Sequence, residues 1–305
     1  MNKALRLGTR ASPLALAQAH QAARLLADAH NLHPDQIEIV SMRASGDLIQ
    51  DRALAEVGGK ALWTKELDRA LVAGEIDFAV HSMKDVETIR PPEIVIAAML
   101  EREDPRDRLI GAESIGAIRQ GGKVGTSSPR RAAQIRRLRP DVEVVLFRGN
   151  VATRLRKLQE GVADATFLAA AGLRRLGQDD LGATIPVELM LPAPAQGAIG
   201  IECLAERGDI RALLDAIDHR ETHRCVLAER ALLAGLAADC RSPVSALAVL
   251  DGEEIRLRAE IFSGDGAESV PGERRVPADA PEAAAALAGE LLGKASPDLR
   301  RLFGA

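Results

Sequence analysis

The feature that most constrains this chain is a pair of echoes that recur in the same order. Gly8-Thr9-Arg10-Ala11-Ser12-Pro13 is matched by Gly125-Thr126-Ser127-Ser128-Pro129. Leu71-Val72-Ala73-Gly74-Glu75-Ile76-Asp77 is matched by Leu158-Gln159-Glu160-Gly161-Val162-Ala163-Asp164. Each Ser-Pro follows a short apolar run. Ser suits the N-cap, and Pro, which lacks an N–H, suits the first helical position. Each Gly ends a helical stretch ahead of another apolar run. The pattern predicts two similar α/β domains, rich in parallel sheet, with a cleft between them.

Individual elements follow from the same reasoning. Leu5–Leu7, Ile37–Met42, Ile76–Val80, Ile94–Met99 and Lys123–Gly125 read as strands. Helices are expected from Pro13, over Lys65–Ala73 and from Pro129. The chain crosses between domains near Glu101–Asp107 and near Leu191–Gly197, so Ala198–Glu202 returns as a strand of the first domain. Beyond helices around Asp209–Asp218 and Arg224–Leu236, Val244–Leu250 and Glu254–Phe262 flank Asp251-Gly252, a hairpin signal. Ile255, Leu257, Ala259 and Ile261 alternate with polar residues, as in a sheet with one wet face. An Ala-rich helix follows at 281–293. The fold class is therefore two α/β domains plus a small C-terminal α+β domain with antiparallel sheet. The divisions are 1–100 with 197–216, 101–196, and 217–305.

Composition limits the function classes. Apolar residues are 47% of the 305, but aromatics only 2%, with no Tyr, so Leu, Ile, Val and Ala must build the cores. No apolar run reaches the roughly 18 residues of a membrane span. The N-terminal stretch lacks the apolar segment of a secretory signal. Three scattered cysteines make no disulfide framework, and the expected compartment is the cytoplasm. Residues 121–175 hold 12 Lys and Arg against 4 Asp and Glu, within a chain of net charge −4. This block is either a site for an anionic small molecule or a solvated charged face. Nucleic-acid binding is disfavoured, because aromatic stacking platforms are nearly absent.

Several groups carry possible chemistry. His81-Ser82-Met83-Lys84-Asp85 follows a strand, where open α/β sheets bind ligands. Arg10 stands beside one Ser-Pro helix start, and Arg130 and Arg131 fall in the first turn of the other. Arginine there opposes the helix dipole, so an external demand for positive charge is inferred. Arg148, Arg154, Arg174 and Arg175 lie just after further strands. Arginine pairs with carboxylates in bidentate geometry, and no phosphate-binding Gly-x-x-x-x-Gly-Lys loop is present. Val57–Trp63, with Lys60, reads either as a lid with a cationic tip or as an ordinary flexible loop. His219 and His223 lack a second chelating pair, so no metal is expected. Cys203 and Cys225 fall in apolar segments. Cys240, in Ala238-Asp239-Cys240-Arg241-Ser242-Pro243, is the better reactive thiol.

Together these motifs resemble the porphobilinogen deaminase (hydroxymethylbilane synthase) family over essentially the whole chain. The stretches concerned are Thr9–Leu16, Val57–Lys60, His81–Val86, Glu101–Asp107, Val124–Ser128, Arg148–Asn150, and Cys240 with Pro243. The resemblance implies three domains, two of them like periplasmic binding proteins. It implies a dipyrromethane cofactor joined by a thioether to Cys240, and a transferase that condenses four porphobilinogen molecules into hydroxymethylbilane with loss of ammonia. It makes Asp85 the acid–base group, facing an azafulvenium cation, with Lys84 beside it. It assigns Arg10, Ser12, Lys60, Ser82, Lys84, Ser128, Arg130, Arg131, Arg148, Arg154 and Arg175 to cofactor and substrate carboxylates, and puts Gln196 near the domain crossing. It implies a cytoplasmic monomer that binds neither membrane nor nucleic acid. The family more often has Gly-Gly where this chain has Ala238-Asp239, and often Phe in place of Trp63. A ligand-binding protein without turnover is the leading alternative from another class.

Overall fold

A computed structural model of the chain describes residues 4–43 and 64–304. Its strands, in chain order, are β1 (Leu5–Arg10), β2 (Ile37–Met42), β3 (Phe78–Ser82), β4 (Ile94–Met99), β5 (Asp107–Ile110), β6 (Lys123–Gly125), β7 (Glu143–Val145), β8 (Ala165–Ala169), β9 (Ala183–Thr184), β10 (Ile199–Leu204), β11 (Val244–Asp251), β12 (Glu254–Phe262) and β13 (Ser269–Pro277). The helices are α1 (Pro13–His30), α2 (Lys65–Val72), α3 (Pro129–Leu138), α4 (Val151–Gln159), α5 (Ala170–Arg175), α6 (Gly208–Asp215), α7 (Arg220–Gly235), α8 (Ala286–Lys294) and α9 (Pro297–Arg301). The described residues fall into two compact units, one of 4–43, 64–103 and 197–223, the other of 104–196 and 224–304.

The first unit is built on one sheet of order β2-β1-β3-β10-β4. β1 runs parallel to β2 and β3, whereas β10 is antiparallel to both its neighbours. Helix α1 begins where Ser12 accepts a hydrogen bond from the Ala15 N–H, and it ends at Asn31 in the left-handed conformation. Its buried stripe of Ala15, Ala19, Ala22 and Leu26 has the helical period, and Ala19, Ala22 and Leu26 join a core with Leu7, Phe78, Ile199 and Ile201. β3 starts two residues later than the apolar run suggests, because Glu75 and Ile76 still bond back to the carbonyl of Ala70 in the turn at Gly74.

The second unit holds a sheet of order β7-β6-β8-β5-β9 with the same pattern. β6 is parallel to β7 and β8, and β5 is antiparallel to its neighbours. The two α/β sheets thus share one plan, with the antiparallel strand late in the chain in the first and early in the second. The echoed Asp residues occupy equivalent places. Asp77 accepts from the Arg6 N–H at 2.9 Å and Asp164 from the Lys123 N–H at 2.6 Å. Each returns its own N–H to the carbonyl of that partner. Scarce as they are, Phe78, Phe147, Phe167 and Phe262 are all fully buried.

The C-terminal sheet is antiparallel, β11-β12-β13. Asp251 pairs with Glu254, so Gly252 and Glu253 form the turn. Gly252 has φ +65°, which suits the first central position of a type II′ turn. The inner face of β12 packs on Leu232, Leu287 and Leu291. The third strand, β13, was not anticipated from the sequence.

Candidate active site

In the first unit, β1 and β3 are parallel neighbours, so their C-terminal ends open on the same edge of the sheet. A small cavity of about 50 Å³ lies there, lined by Arg10, Ser12, Gln18, His81, Ser82 and Asp85 among others. Arg10 is the last residue of β1 and Ser82 the last of β3, while Asp85 closes a single 3₁₀ turn, Met83–Asp85. Arg10 Nη1 lies 3.9 Å from Asp85 Oδ2, and the aspartate side chain is more than a third exposed. Gln18, buried on α1, was missed by the sequence reading. Its Nε2 donates to Ser82 Oγ at 2.8 Å, and Ser82 Oγ donates to Gln18 Oε1 at 3.0 Å.

Behind this cavity sits a buried ionic network. His81 Nε2 is 3.2 Å from Glu202 Oε2. Arg90 donates through Nε and Nη2 to the two oxygens of Glu202, both at 2.9 Å, and also to Asp68 and Glu87. Burial alone would raise the Glu202 pKa, but His81 and Arg90 overcome it and bring the carboxyl to about 2. A lone Glu in the apolar run Ile199–Leu204 was the available signal, since a buried carboxylate needs a partner.

In the second unit the helix starts behave differently from expectation. Ser128 caps α3 as predicted, accepting from the Arg131 N–H. Arg130 and Arg131, however, are buried. Arg130 Nη2 and Arg131 Nη2 bind the two oxygens of Asp107 at 2.9 and 2.7 Å. Their Nη1 groups reach the carbonyls of Leu191 and Phe167 respectively. Part of the demand for positive charge at this helix start is therefore met from inside the protein. Gln196 Nε2 joins the cluster at 2.8 Å from Asp107 Oδ1. Burial works to raise the Asp107 pKa, yet the two guanidiniums hold it well below the usual carboxylate range.

Arg148 is also buried, just beyond β7, and Arg154 donates through Nε to the Gly149 carbonyl at 3.0 Å. Arg175 ends α5. Lys84 stands between Met83 and Asp85 in the first unit's 3₁₀ turn. Lys60 and the rest of the Val57–Trp63 segment lie outside the described residues.

Cys203 and Cys225 are buried, and Cys240 is exposed in a turn after α7. Burial pushes the Cys203 thiol up to about 11, which makes it a poor nucleophile. His219 Nδ1 lies 2.9 Å from Thr222 Oγ1, and His223 Nδ1 lies 2.7 Å from Asp218 Oδ1, so both rings have local partners.

Repeated mixed sheets with polar and cationic groups at strand ends define the class of α/β proteins that hold small ligands at the carboxyl edge of the sheet. The particular family follows from comparison. Residues 5–212 match the porphobilinogen deaminase dipyromethane cofactor binding domain, and residues 223–294 match the porphobilinogen deaminase C-terminal domain. The chain belongs to the porphobilinogen deaminase family. It is 62% identical over 305 residues to a porphobilinogen deaminase of Sphingopyxis alaskensis, covering 98% of this chain and 96% of that one. It is 50% identical over 299 residues to one of Paracoccus denitrificans, covering 96% and 95%. Among solved structures, the second substrate binding domain of a putative amino acid ABC transporter from Streptococcus pneumoniae is 12% identical, with a TM-score of 0.43 over 70% of this chain and 90% of that one.

The residues fit the family's cofactor. Its carboxylates call for buried cationic donors, and Arg130 keeps an Nε that has no protein partner. A thioether calls for an accessible thiol, which Cys240 supplies.

Proposed function

We propose that this chain condenses four porphobilinogen molecules head to tail on a dipyrromethane primer held by Cys240, with loss of ammonia at each joining, and that water then cleaves the chain from the primer, its OH going to the released hydroxymethylbilane and its proton back to the primer. The observation that carries the attachment is the contrast between one exposed thiol and two buried ones. When bound, the dipyrromethane supplies the pyrrole α-carbon onto which the first substrate is joined. At each joining, the carbon–nitrogen bond of the substrate's aminomethyl group breaks and ammonia leaves. A carbon–carbon bond forms in its place, and the pyrrole loses its α-proton.

Asp85 supplies the negative charge that faces the cation formed as ammonia leaves, and accepts or returns a proton at its carboxylate oxygens. Arg10, Ser12, Ser82 and Lys84 orient carboxylates near it. Arg148, Arg154 and Arg175, with Ser128 and the donor left over on Arg130, serve further carboxylates, which each added ring brings in pairs. Arg131 and Gln196 act through Asp107, keeping the cluster in place, and Lys60 is a further binder of cofactor and substrate carboxylates. The three-domain division, 1–100 with 197–216, 101–196 and 217–305, is part of this reading and is supported by the three separate sheets. Action as a cytoplasmic monomer also belongs to this reading, and sedimentation of the purified chain would check its oligomeric state. Among the described residues no helix is long and apolar enough to cross a membrane.

The test is the intact mass of the purified chain. It should exceed the sequence mass by one dipyrromethane, Cys240→Ser should abolish the increment, and Cys203→Ser and Cys225→Ser should keep it. An increment that survives loss of Cys240 would move the attachment elsewhere.

A further inference from the structure

The turn that carries Cys240 is closed largely by one side chain. The Ser242 N–H donates to the Asp239 carbonyl at 3.0 Å, an ordinary four-residue turn with Cys240 at its second position. Asp239 Oδ1 then accepts from the Arg241 N–H at 2.8 Å, across the cysteine. Its Oδ2 accepts from Arg241 Nε at 2.9 Å and Nη2 at 2.5 Å. The Asp239 N–H donates to Ser242 Oγ at 3.1 Å. Upstream, the Ala238 N–H reaches the Leu233 carbonyl of α7, and downstream Pro243 leads into β11. Both ends of the turn are therefore anchored, and its tip is fixed by an aspartate whose oxygen bonds the backbone two residues on. A glycine at 239, as the family more often has, makes none of the bonds that the Asp239 carboxylate makes to Arg241.

We propose that Asp239 is a positioning residue for Cys240, holding the turn so that the thiol is presented for alkylation by the incoming pyrrole. The proposal rests on the reading of Cys240 as the attachment point. In that step the Cys240 Sγ–carbon bond forms as the aminomethyl carbon–nitrogen bond breaks, and the thiol proton leaves with nitrogen as ammonia. No electron acceptor is needed. Asp239 touches none of the reacting atoms and acts through the backbone of residues 239–241.

Asp239→Asn and Asp239→Ala separate the turn from the charge. Both remove the carboxylate's charge, but only Asn keeps an oxygen for the Arg241 N–H. The full chain is made in a host unable to form porphobilinogen, then given porphobilinogen, and gain of the dipyrromethane is timed by intact mass. Asp239→Asn should load near the wild-type rate, and Asp239→Ala about fivefold more slowly, the worth of one net hydrogen bond. Amide exchange at Arg241, which needs no porphobilinogen, should show protection kept in Asn and lost by a similar factor in Ala. Equal loading of the two variants, or equal exchange, would overturn the proposal. Exchange in the expected order with no adduct on Cys240 even in the wild type would instead sink the attachment reading.

Discussion

Two adjacent arginines in the first turn of a helix repel each other and oppose the helix dipole, so something must hold them there. Asp107 does, accepting from Arg130 at Oδ2 and from Arg131 at both oxygens, inside a protein interior where an unpaired charge is costly. The sequence shows the arginines and their odd location, but not their partner. Asp107 stands 24 residues from Arg131 and 89 from Gln196, at the end of a charged run that reads as a crossing. Ser12 and Ser128 were legible because a cap acts on residues three positions away. Gln18 was not, because its partner Ser82 is 64 residues distant. Arg130→Leu, or Asp107→Ala, should thus destabilise the fold by about 3–5 kcal/mol, as expected when a buried ion pair loses one partner. Urea midpoints check this, and a midpoint unchanged from wild type in Arg130→Leu would make the cluster dispensable to the fold. Asp85 should behave in the opposite manner. Asp85→Asn keeps the shape without the charge, so it should fold normally yet lose about 10²–10³ in single-turnover ammonia release. Asp85→Glu should retain part of the activity. Near wild-type turnover in the Asn variant would return Lys84 and Asp85 to an ordinary turn.

At the scale of elements, what was legible is what repeats at short range. Strand, Ser-Pro, helix, strand, helix, Gly, strand occurs twice, and both copies fold as the same βαβαβ unit with the first strand parallel to the other two. β13 escaped because its sequence, Ser-Val-Pro-Gly-Glu-Arg-Arg-Val-Pro, carries Pro and Gly inside it, which argues against a central strand. It is an edge strand, so its prolines can be accommodated on the unpaired side. The glycine ahead of the second Ser-Pro, Gly125, has its own steric reason. A Cβ on Gly125 would stand 2.4 to 2.6 Å from three ring atoms of Phe147, a fully buried and rigid side chain. Gly125→Ala should therefore cost about 1–3 kcal/mol through overpacking at the start of the loop that leads into α3. Thermal unfolding would read this, and the echo would owe nothing to packing if Gly125→Ala melted with the wild type.

Over the whole molecule, the acid response should be set by carboxylates whose folded pKa lies below its unfolded value. Glu202, brought to about 2 from an ordinary 4.5, adds stability that is fully present above the unfolded value and lost as pH falls between the two. Its contribution is on the order of 3 kcal/mol, at about 1.4 kcal/mol per pKa unit. Glu202→Gln should be less stable at neutral pH and flatter between pH 4.5 and 2, by urea titration at several pH values. A wild-type slope in that window would mean other groups dominate. The stretch Ala198–Glu202, expected to return as a strand of the first sheet, falls in β10, which lies between β3 and β4. That placement bears on how the chain is made. A ribosome delivers residues in order, so β3 and β4 emerge well before the strand that separates them. The sheet of order β7-β6-β8-β5-β9 has all its strands by residue 184, whereas the first-made sheet waits until Leu204. The half translated first is completed second, and until then it presents two unpaired strand edges to whatever is nearby.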